Sequence, residues 1–448
     1  MLFESAFLTS AEPSATRRLF SYTREELTAV SLSFAYFFCV LSSYYILRPV
    51  RDALAIHSGV RSFQWLFTGT FIGSLVAFFL FAALVARWKR SHVLPAVYLF
   101  FAANLFIFYL LLKADIASVA VARVFFVWLS VFTVFTVSVF WSFMADVFTN
   151  QQARRLYGVI AAGGSLGALA GPAVTIAAPR IGIPNLLLIS AALLVVSVVL
   201  IRRLEHWAIR HSQVEQRAAE QPLGGTIMGG LRLTFSSRYL LAILSFIFLL
   251  TVLATFLYFE QARLIEAALP DAATRAQLFA KMDFAVNLSS TVAELFITGF
   301  LITRLGVGGV LCGLLVLNVA GFATLAFVPT LSVLVAFQIF RRASDYALIR
   351  PAREVLFTIV SREEKYKAKN FVDTIGFRGS DAVSGWLTSG LTALGAGLSQ
   401  LALIAVPVSA VGAALGWYLG RSQEKLRPAM KTVVPTPKVE PVVRESEV

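Results

Sequence analysis

Charge is what this chain has least of. Only 14% of its 448 residues are Asp, Glu, Lys or Arg, roughly half the share usual in a soluble globular protein. Hydrophobic residues make up 58%, with a mean hydropathy of +0.76, which excludes an ordinary water-soluble domain. Cysteine is nearly absent: Cys39 and Cys312 both fall in apolar runs, so two free thiols and no disulfide are expected. The four histidines show no metal-ligand spacing, and neither a metal nor another cofactor is expected. Period-two alternation in ten-residue segments is missing, which argues against a membrane β-barrel. No nucleophile–base arrangement is visible, and the glycine-rich "GGSLG" at 163–167 lies inside an apolar run rather than in a phosphate-binding loop. The chain is therefore not expected to be an enzyme.

The hydrophobic excess falls in blocks of roughly 20 residues, the length that crosses about 30 Å of hydrocarbon. They cover, within a few residues, 27–56, 63–87, 92–113, 119–146, 155–178, 183–202, 239–262, 283–303, 307–328, 331–352, 370–394 and 397–420. Twelve blocks predict an all-α membrane protein. The longest polar interruption, 203–238, divides them into six-helix bundles at 27–202 and 239–420 and reads as a cytosolic linker. Residues 1–26 are expected to form a cytosolic tail or a short helix along the interface. The "TRRLF" within it faintly resembles an export signal, but no short apolar region with a cleavage site follows. Residues 421–448, with four prolines and mixed charge, are expected to be a disordered cytosolic tail.

A net charge of +14 would point to nucleic acid in a soluble protein. Here most Lys and Arg collect in the loops and tails of one membrane face, which is the signature of orientation in a bilayer. No nucleic-acid partner is expected. Both termini are placed in the cytoplasm, in a bacterial inner membrane, and a monomer is anticipated.

A weak internal echo links the halves. "LRPVRDAL" ends the first block and "FEQARLIEA" ends the seventh, so that Arg48 aligns with Glu260 and Arg51 with Arg263. Parallel halves related by an axis along the membrane normal define the major facilitator fold, whose substrate sits between the halves near mid-membrane.

Ionisable residues inside spans cost several kcal/mol unless paired or hydrated, and so mark candidate sites. Arg48, Arg51 and Asp52 sit around Pro49 near the end of the first block. Helical spacing allows Arg48 to pair with Asp52. Either the helix simply ends there and its arginines snorkel to head groups, or it continues and lines an aqueous cavity. The tenth block, "LSVLVAFQIFRRASDYALIRPAREVLF", reaches Arg341 and Arg342 at about mid-membrane. Asp345 can pair with either, leaving a positive surplus. The alternatives are an internal structural bridge or a substrate-facing cation site. With Arg48–Asp52 and Arg341–Asp345 paired locally, Arg51 and Arg342 would be free donors from opposite halves. Glu260 is placed to face Arg48. Glu294 follows Asn287, Ser290 and Thr291 on one helical face, as a proton site or a neutral hydrogen-bonding acid. Gly163, Gly167 and Gly171, four apart, form a ridge for close helix packing.

The segment Tyr346–Gly379 resembles the ATP/ADP translocases of intracellular bacteria and plastids. Tyr346, Leu348, Pro351, Arg353 and Glu354 follow that family's Tyr, Leu, Pro–x–Lys–Glu pattern. Lys367, Lys369, Asp373, Gly376 and Arg378 follow its Lys–x–Lys, Asp, Gly–x–Arg pattern. "LRPVRD" and "FWSFMADVFTNQQARRLYG" resemble its first- and fourth-helix segments. Two family lysines are replaced, one by Arg51 and one by Asp381. The resemblance implies a twelve-helix exchanger of nucleotides. Together these features predict a secondary transporter working by alternating access, an antiporter of organic or phosphorylated anions. Arg48, Arg51, Arg341, Arg342 and Arg378 would bind substrate, and Asp52, Glu260, Glu294, Asp345 and Asp381 would couple or ion-pair. A proton-coupled carrier of an unrelated small molecule, and a lipid translocase or non-transporting sensor, remain open alternatives.

Overall fold

The computed structural model describes residues 24–433 apart from 88–89, 117, 212–226, 361–367 and 370. Among the described residues all regular structure is helical. The long helices, in chain order, are α1 (Arg24–His57), α2 (Phe63–Arg87), α3 (Arg90–Lys113), α4 (Ser118–Val147), α5 (Asn150–Thr175) and α6 (Ile183–His211), then α7 (Arg238–Ala268), α8 (Ala272–Phe296), α9 (Thr298–Phe327), α10 (Leu331–Ser344), α11 (Phe377–Ala393) and α12 (Leu398–Val433). A wide π turn, Asp345–Ile349, carries α10 into a further helical piece, Arg350–Leu356, and a second π turn, Val372–Gly376, leads into α11.

Local chemistry explains several boundaries. Thr149 and Gln152 form a reciprocal capping box at the start of α5, while Ser237, Asp271 and Thr330 accept backbone amides at the starts of α7, α8 and α10. Within α9, Gly306 takes φ 69° and ψ 169°, a left-handed conformation that breaks the helix. Residues 298–305 thus prolong α8 beyond Ile297, and 307–327 run back as the ninth span, as the apolar blocks predict. α1 passes through Pro49 without interruption to His57, so it does not end at its arginines.

Among the described residues nine helices are long and apolar enough to cross a membrane, including all of α1–α6. α8, α10 and α11 do not reach that standard, and they carry Asp283, Arg341, Arg342, Arg378 and Asp381. Their polarity is tolerated because their charged faces point inward, towards other helices and one another.

The buried apolar residues form two cores. One joins α1–α6 through residues such as Tyr36, Phe125, Phe132 and Phe140 and extends to Phe259 of α7 and Phe279 of α8; the other joins α7, α9, α10 and α12 through Phe246, Leu311, Leu334 and Ala405. Close approach depends on glycine in both. On α5, a Cβ at Gly171 would meet Ser42 O and Tyr45 Cβ of α1 at 2.7 Å. Where α9 crosses α12, a Cβ at Gly420 would lie 2.1 Å from Gly308 Cα.

The halves join through α1, α2 and α5 on one side and α7, α8 and α11 on the other. The hydrogen bonds between them cluster towards the face at which α1 ends, here termed distal. Ser389 Oγ donates to Gln64 Oε1 at 3.0 Å, Trp386 Nε1 to Thr68 Oγ1 at 3.0 Å, and Gln277 Nε2 to Ile176 O at 2.8 Å. Trp65 and Trp386 pack edge to face across the same seam, 4.9 Å between centroids.

Three expected segments differ or fall partly outside the described residues. Of the tail at 1–26, residues 1–23 lie outside; of the linker at 203–238, residues 212–226 do, while its ends belong to α6 and to a short helix, Ile227–Ser236. The tail expected to be disordered from 421 is helical as far as Val433, and 434–448 lie outside.

Candidate functional site

Arg48 of α1, Asp283 of α8 and Arg342 of α10 each sit roughly 15 Å from the distal end of their helix, at about mid-membrane depth. They converge. Arg342 Nη2 donates to Asp283 Oδ1 at 2.6 Å. Arg48 Nε approaches Asp283 Oδ2 at 3.7 Å, an ion pair too long for a hydrogen bond. Asp283 Oδ2 is buried and accepts no hydrogen bond. Arg48 Nη1 donates weakly to Tyr346 Oη at 3.4 Å, and its guanidinium lies over Tyr45. One carboxylate, 4% exposed, is thus shared by two arginines at 16% and 13%, one from each half of the molecule. Formal charge in the trio is a surplus of one cation.

A second junction lies one turn further along α1. Arg51 donates through Nε and Nη2 to Asp52 Oδ1 at 2.9 and 2.7 Å, and stacks on Phe126 at 4.7 Å. Tyr258 of α7 donates to the same oxygen at 3.0 Å, so this pair also bridges the halves.

The π turn determines what α10 presents. It widens the helix after Arg342 and disrupts the regular bonding of nearby carbonyls. Thr298, just beyond the Ile297 break, donates its hydroxyl to Ala347 O at 2.7 Å inside that turn. Tyr346 is held between Arg48 and Arg350, whose guanidinium lies 4.2 Å from its ring centroid.

The geometry corrects the local pairings expected from helical spacing. Arg48 does not pair with Asp52; it reaches across to Asp283, and Arg51 takes Asp52 instead. Arg341 does not pair with Asp345. Its Nε and Nη2 donate to Gln338 Oε1 at 3.2 and 3.1 Å, and Gln338 in turn donates to Gln261 of α7. Asp345 pairs with Arg350 at 3.4 Å. Arg51 and Arg342 are therefore not free donors. Glu260 faces Arg263, one turn along its own helix at 2.6 Å, rather than Arg48. Arg378 and Asp381 pair with each other at 3.5 Å on α11. Glu294 is exposed, away from the trio, whereas Asn287 is buried and donates to Ala168 O of α5 at 2.7 Å.

The segment that resembles the nucleotide exchangers closes on itself. Arg353 pairs with Asp373 at 3.5 Å, and Glu354 with Lys369, joining the end of α10 to the approach of α11. Lys367 lies outside the described residues.

Asp283, at the centre of this trio, is not among the residues expected from the sequence. The signal was present: Asp283, Asn287, Ser290 and Glu294 recur at helical spacing, and the polar stripe begins one turn before Asn287. Tyr258 gave no such signal, because a tyrosine in an apolar span reads as packing. Among the described residues no group of His, Cys, Asp and Glu is placed to hold a metal ion, and Cys39 and Cys312 are free thiols.

Residues 31–280 match the profile of the Major Facilitator Superfamily, more than half of the chain. The chain belongs to the major facilitator superfamily. Solved structures agree with that fold. The nucleoside transporter NupG matches with a TM-score of 0.56 at 14% identity, covering 90% of this chain and 99% of its own. A bacterial homologue of the human lysosomal transporter Spinster, in an inward-facing and unoccupied conformation, gives 0.57 at 12%, covering 91% and 99%. An auto-inhibited peptide transporter of the POT family gives 0.56 at 13%, covering 92% and 98%. No match was found among curated proteins. A facilitator of this fold is a membrane transporter and not an enzyme. It takes a small-molecule substrate within a lipid bilayer.

Proposed function

We propose that this facilitator is a secondary transporter of organic or phosphorylated anions, working as an antiporter by alternating access. The observation that carries the reading is the pair Arg48 and Arg342, one from each half, meeting at mid-membrane on a single shared carboxylate. Two guanidiniums with one counter-charge present fork-like donors to a further carboxylate or phosphate. An anion seated there touches both halves, so its binding and their rocking are one event. Tyr45 and Tyr346 add ring faces and hydroxyls beside it. The hydrogen-bonded distal seam supports a state closed on that side. The resemblance over Tyr346–Gly379 makes nucleotide-like anions the first class to try. The cation-rich loops support cytoplasmic termini in a bacterial inner membrane, and a monomer is sufficient for the site.

The test is uptake by the purified protein in proteoliposomes loaded with ADP, glycerol phosphate or citrate, each with and without a pH gradient. Exchange of at least one anion, dependent on internal anion and abolished by Arg48→Ala and by Arg342→Ala, is the expected result. Transport of only neutral or cationic solutes would overturn the anion reading, and uptake driven by the pH gradient without internal anion would replace antiport with proton coupling.

A further inference from the structure

Among the described residues Asp283 is the one buried carboxylate in contact with both central arginines, and the proposed transport cycle gives it no task. Its two oxygens are treated differently. Oδ1 is engaged by Arg342 from its own half at 2.6 Å, while Oδ2 faces Arg48 of the other half at 3.7 Å and accepts no hydrogen bond. A carboxylate 4% exposed that leaves one oxygen without a donor is incompletely satisfied. Arg48 is equally under-used, with one hydrogen bond of 3.4 Å to Tyr346. These two groups attract each other but do not close, as expected where a loosely held internal anion occupies ground that a better one could take.

We infer that Asp283 is an internal stand-in for the anionic group of the substrate. In the absence of substrate its carboxylate answers Arg48 across the halves and helps hold the distal seam shut. An arriving carboxylate or phosphate takes Arg48 from it, which breaks the tie and frees the distal face to open. This rests on the anion reading above and deepens it, because it names a residue that substrate displaces rather than one that holds it. The physical basis is that a desolvated arginine between the bundles needs a counter-charge in every state of the cycle. With Asp283 to supply part of it, the empty site retains a tie that substrate must overcome.

The stand-in can be removed and returned as a separate molecule. Asp283→Ala keeps Cβ and leaves a space the size of a carboxylate group between two arginines, and acetate is a small free carboxylate that can supply the lost charge. The distal seam supplies a reporter. Gln64→Cys and Ser389→Cys, introduced with Cys39 and Cys312 replaced by serine, form a pair where Ser389 Oγ and Gln64 Oε1 now stand 3.0 Å apart. A short bifunctional thiol reagent bridges them rapidly only while the seam is shut.

Asp283→Ala should slow that cross-linking by about fivefold or more, the lower end of a typical coupling between distant sites. Acetate at about 1–100 mM should restore the rate and raise the unfolding temperature of the Ala variant. Chloride should do neither, and acetate should do neither in the unaltered protein or in the Arg48→Ala/Asp283→Ala double variant. If Asp283→Ala is not recovered folded, Asp283→Asn serves. It keeps the volume and loses the charge, so slowed cross-linking that acetate cannot restore is expected, together with tighter binding of whichever of ADP, glycerol phosphate or citrate the unaltered protein binds. Unchanged cross-linking, or anion binding that is weakened or unaltered in Asp283→Asn, would overturn the stand-in role while leaving the anion site in place. Failure of the unaltered protein to bind any of the three would instead count against the anion reading and take the stand-in with it.

Discussion

The two halves of this molecule are built from different material. Among the described residues the six long helices of the first half, α1 to α6, are each long and apolar enough to span a membrane, whereas of the six in the second half α7, α9 and α12 are. Through α1 the first half contributes Arg48 and the Arg51–Asp52 pair to the centre. The second supplies Asp283, Arg341, Arg342, Tyr346 and Arg350, together with both π turns. The match to the superfamily profile takes in the first half, α7 and the start of α8, and ends at residue 280, just before Asp283. Among the described residues the three long helices too polar to count as apolar spans, α8, α10 and α11, all lie in the second half. Polar helices can be placed there because a bundle interface hides them from lipid, which a single span cannot do for itself.

The sharpest way to break this contrast is to delete one central arginine from each half. Arg342→Ala and Arg48→Ala should both reduce anion exchange by about thirtyfold or more, from a cost of ~2–5 kcal/mol for truncating a buried charge pair. Only Arg342→Ala should also lower the unfolding temperature substantially, because Arg342 makes the 2.6 Å contact with Asp283 and Arg48 only the longer one. Uptake and thermal unfolding measured on the same preparations check both statements. Equal loss of stability in the two variants would mean that the halves hold Asp283 equally.

Packing glycines give a comparison that ignores charge. Gly420→Leu, at the α9–α12 crossing, should greatly reduce the yield of folded protein, because even a Cβ there falls 2.1 Å from Gly308 Cα. Gly171→Ala in the first half should cost less, since its nearest neighbours stand at 2.7 Å. Membrane yield and monodispersity on size-exclusion chromatography measure the difference.

Thr298 tests whether the π turn positions Tyr346. Thr298→Val removes the donor to Ala347 O at a cost of ~1–3 kcal/mol. A several-fold rise in the half-saturating anion concentration is expected, with Thr298→Ser restoring it. A loss of stability with unchanged saturation would make the hydroxyl purely structural.

The smallest effect belongs to Asp345. Its partner Arg350 is 55% exposed, so their 3.4 Å pair is screened and worth ~0–1 kcal/mol. Asp345→Asn should change exchange by less than about twofold. A loss as large as that of Arg342→Ala would return Asp345 to the site and blur the contrast between buried and half-buried carboxylates.

The expected residues were read with uneven success, and the reason is consistent. Arg48 and Arg342 were visible as charges that lipid would not tolerate. Their partners were not visible, because helical spacing offers only neighbours on the same helix: Asp52 for Arg48, Asp345 for Arg341. Tertiary packing offered Asp283 and Gln338 instead, and the adjacent Asp52 went to Arg51. Glu260 was expected to face Arg48 because α1 and α7 are equivalent in the two halves. Its own Arg263 lies one turn away and satisfies it at no cost in reach.

The sequence by itself determined that this is a helical membrane protein of the facilitator fold, where its helices turn, and which residues are too costly to face lipid. The spans and the costly residues follow from hydrophobic length and the energetic penalty of desolvated charge, which act one segment at a time, and the fold follows from the repeat of six spans on either side of a long polar linker. Only the tertiary structure decided which charge meets which. A guanidinium between two bundles chooses among carboxylates from several helices, and the choice depends on how those helices are rotated and offset. That geometry is set by glycine ridges, a π turn and a break at Gly306 acting together, and no single segment contains it.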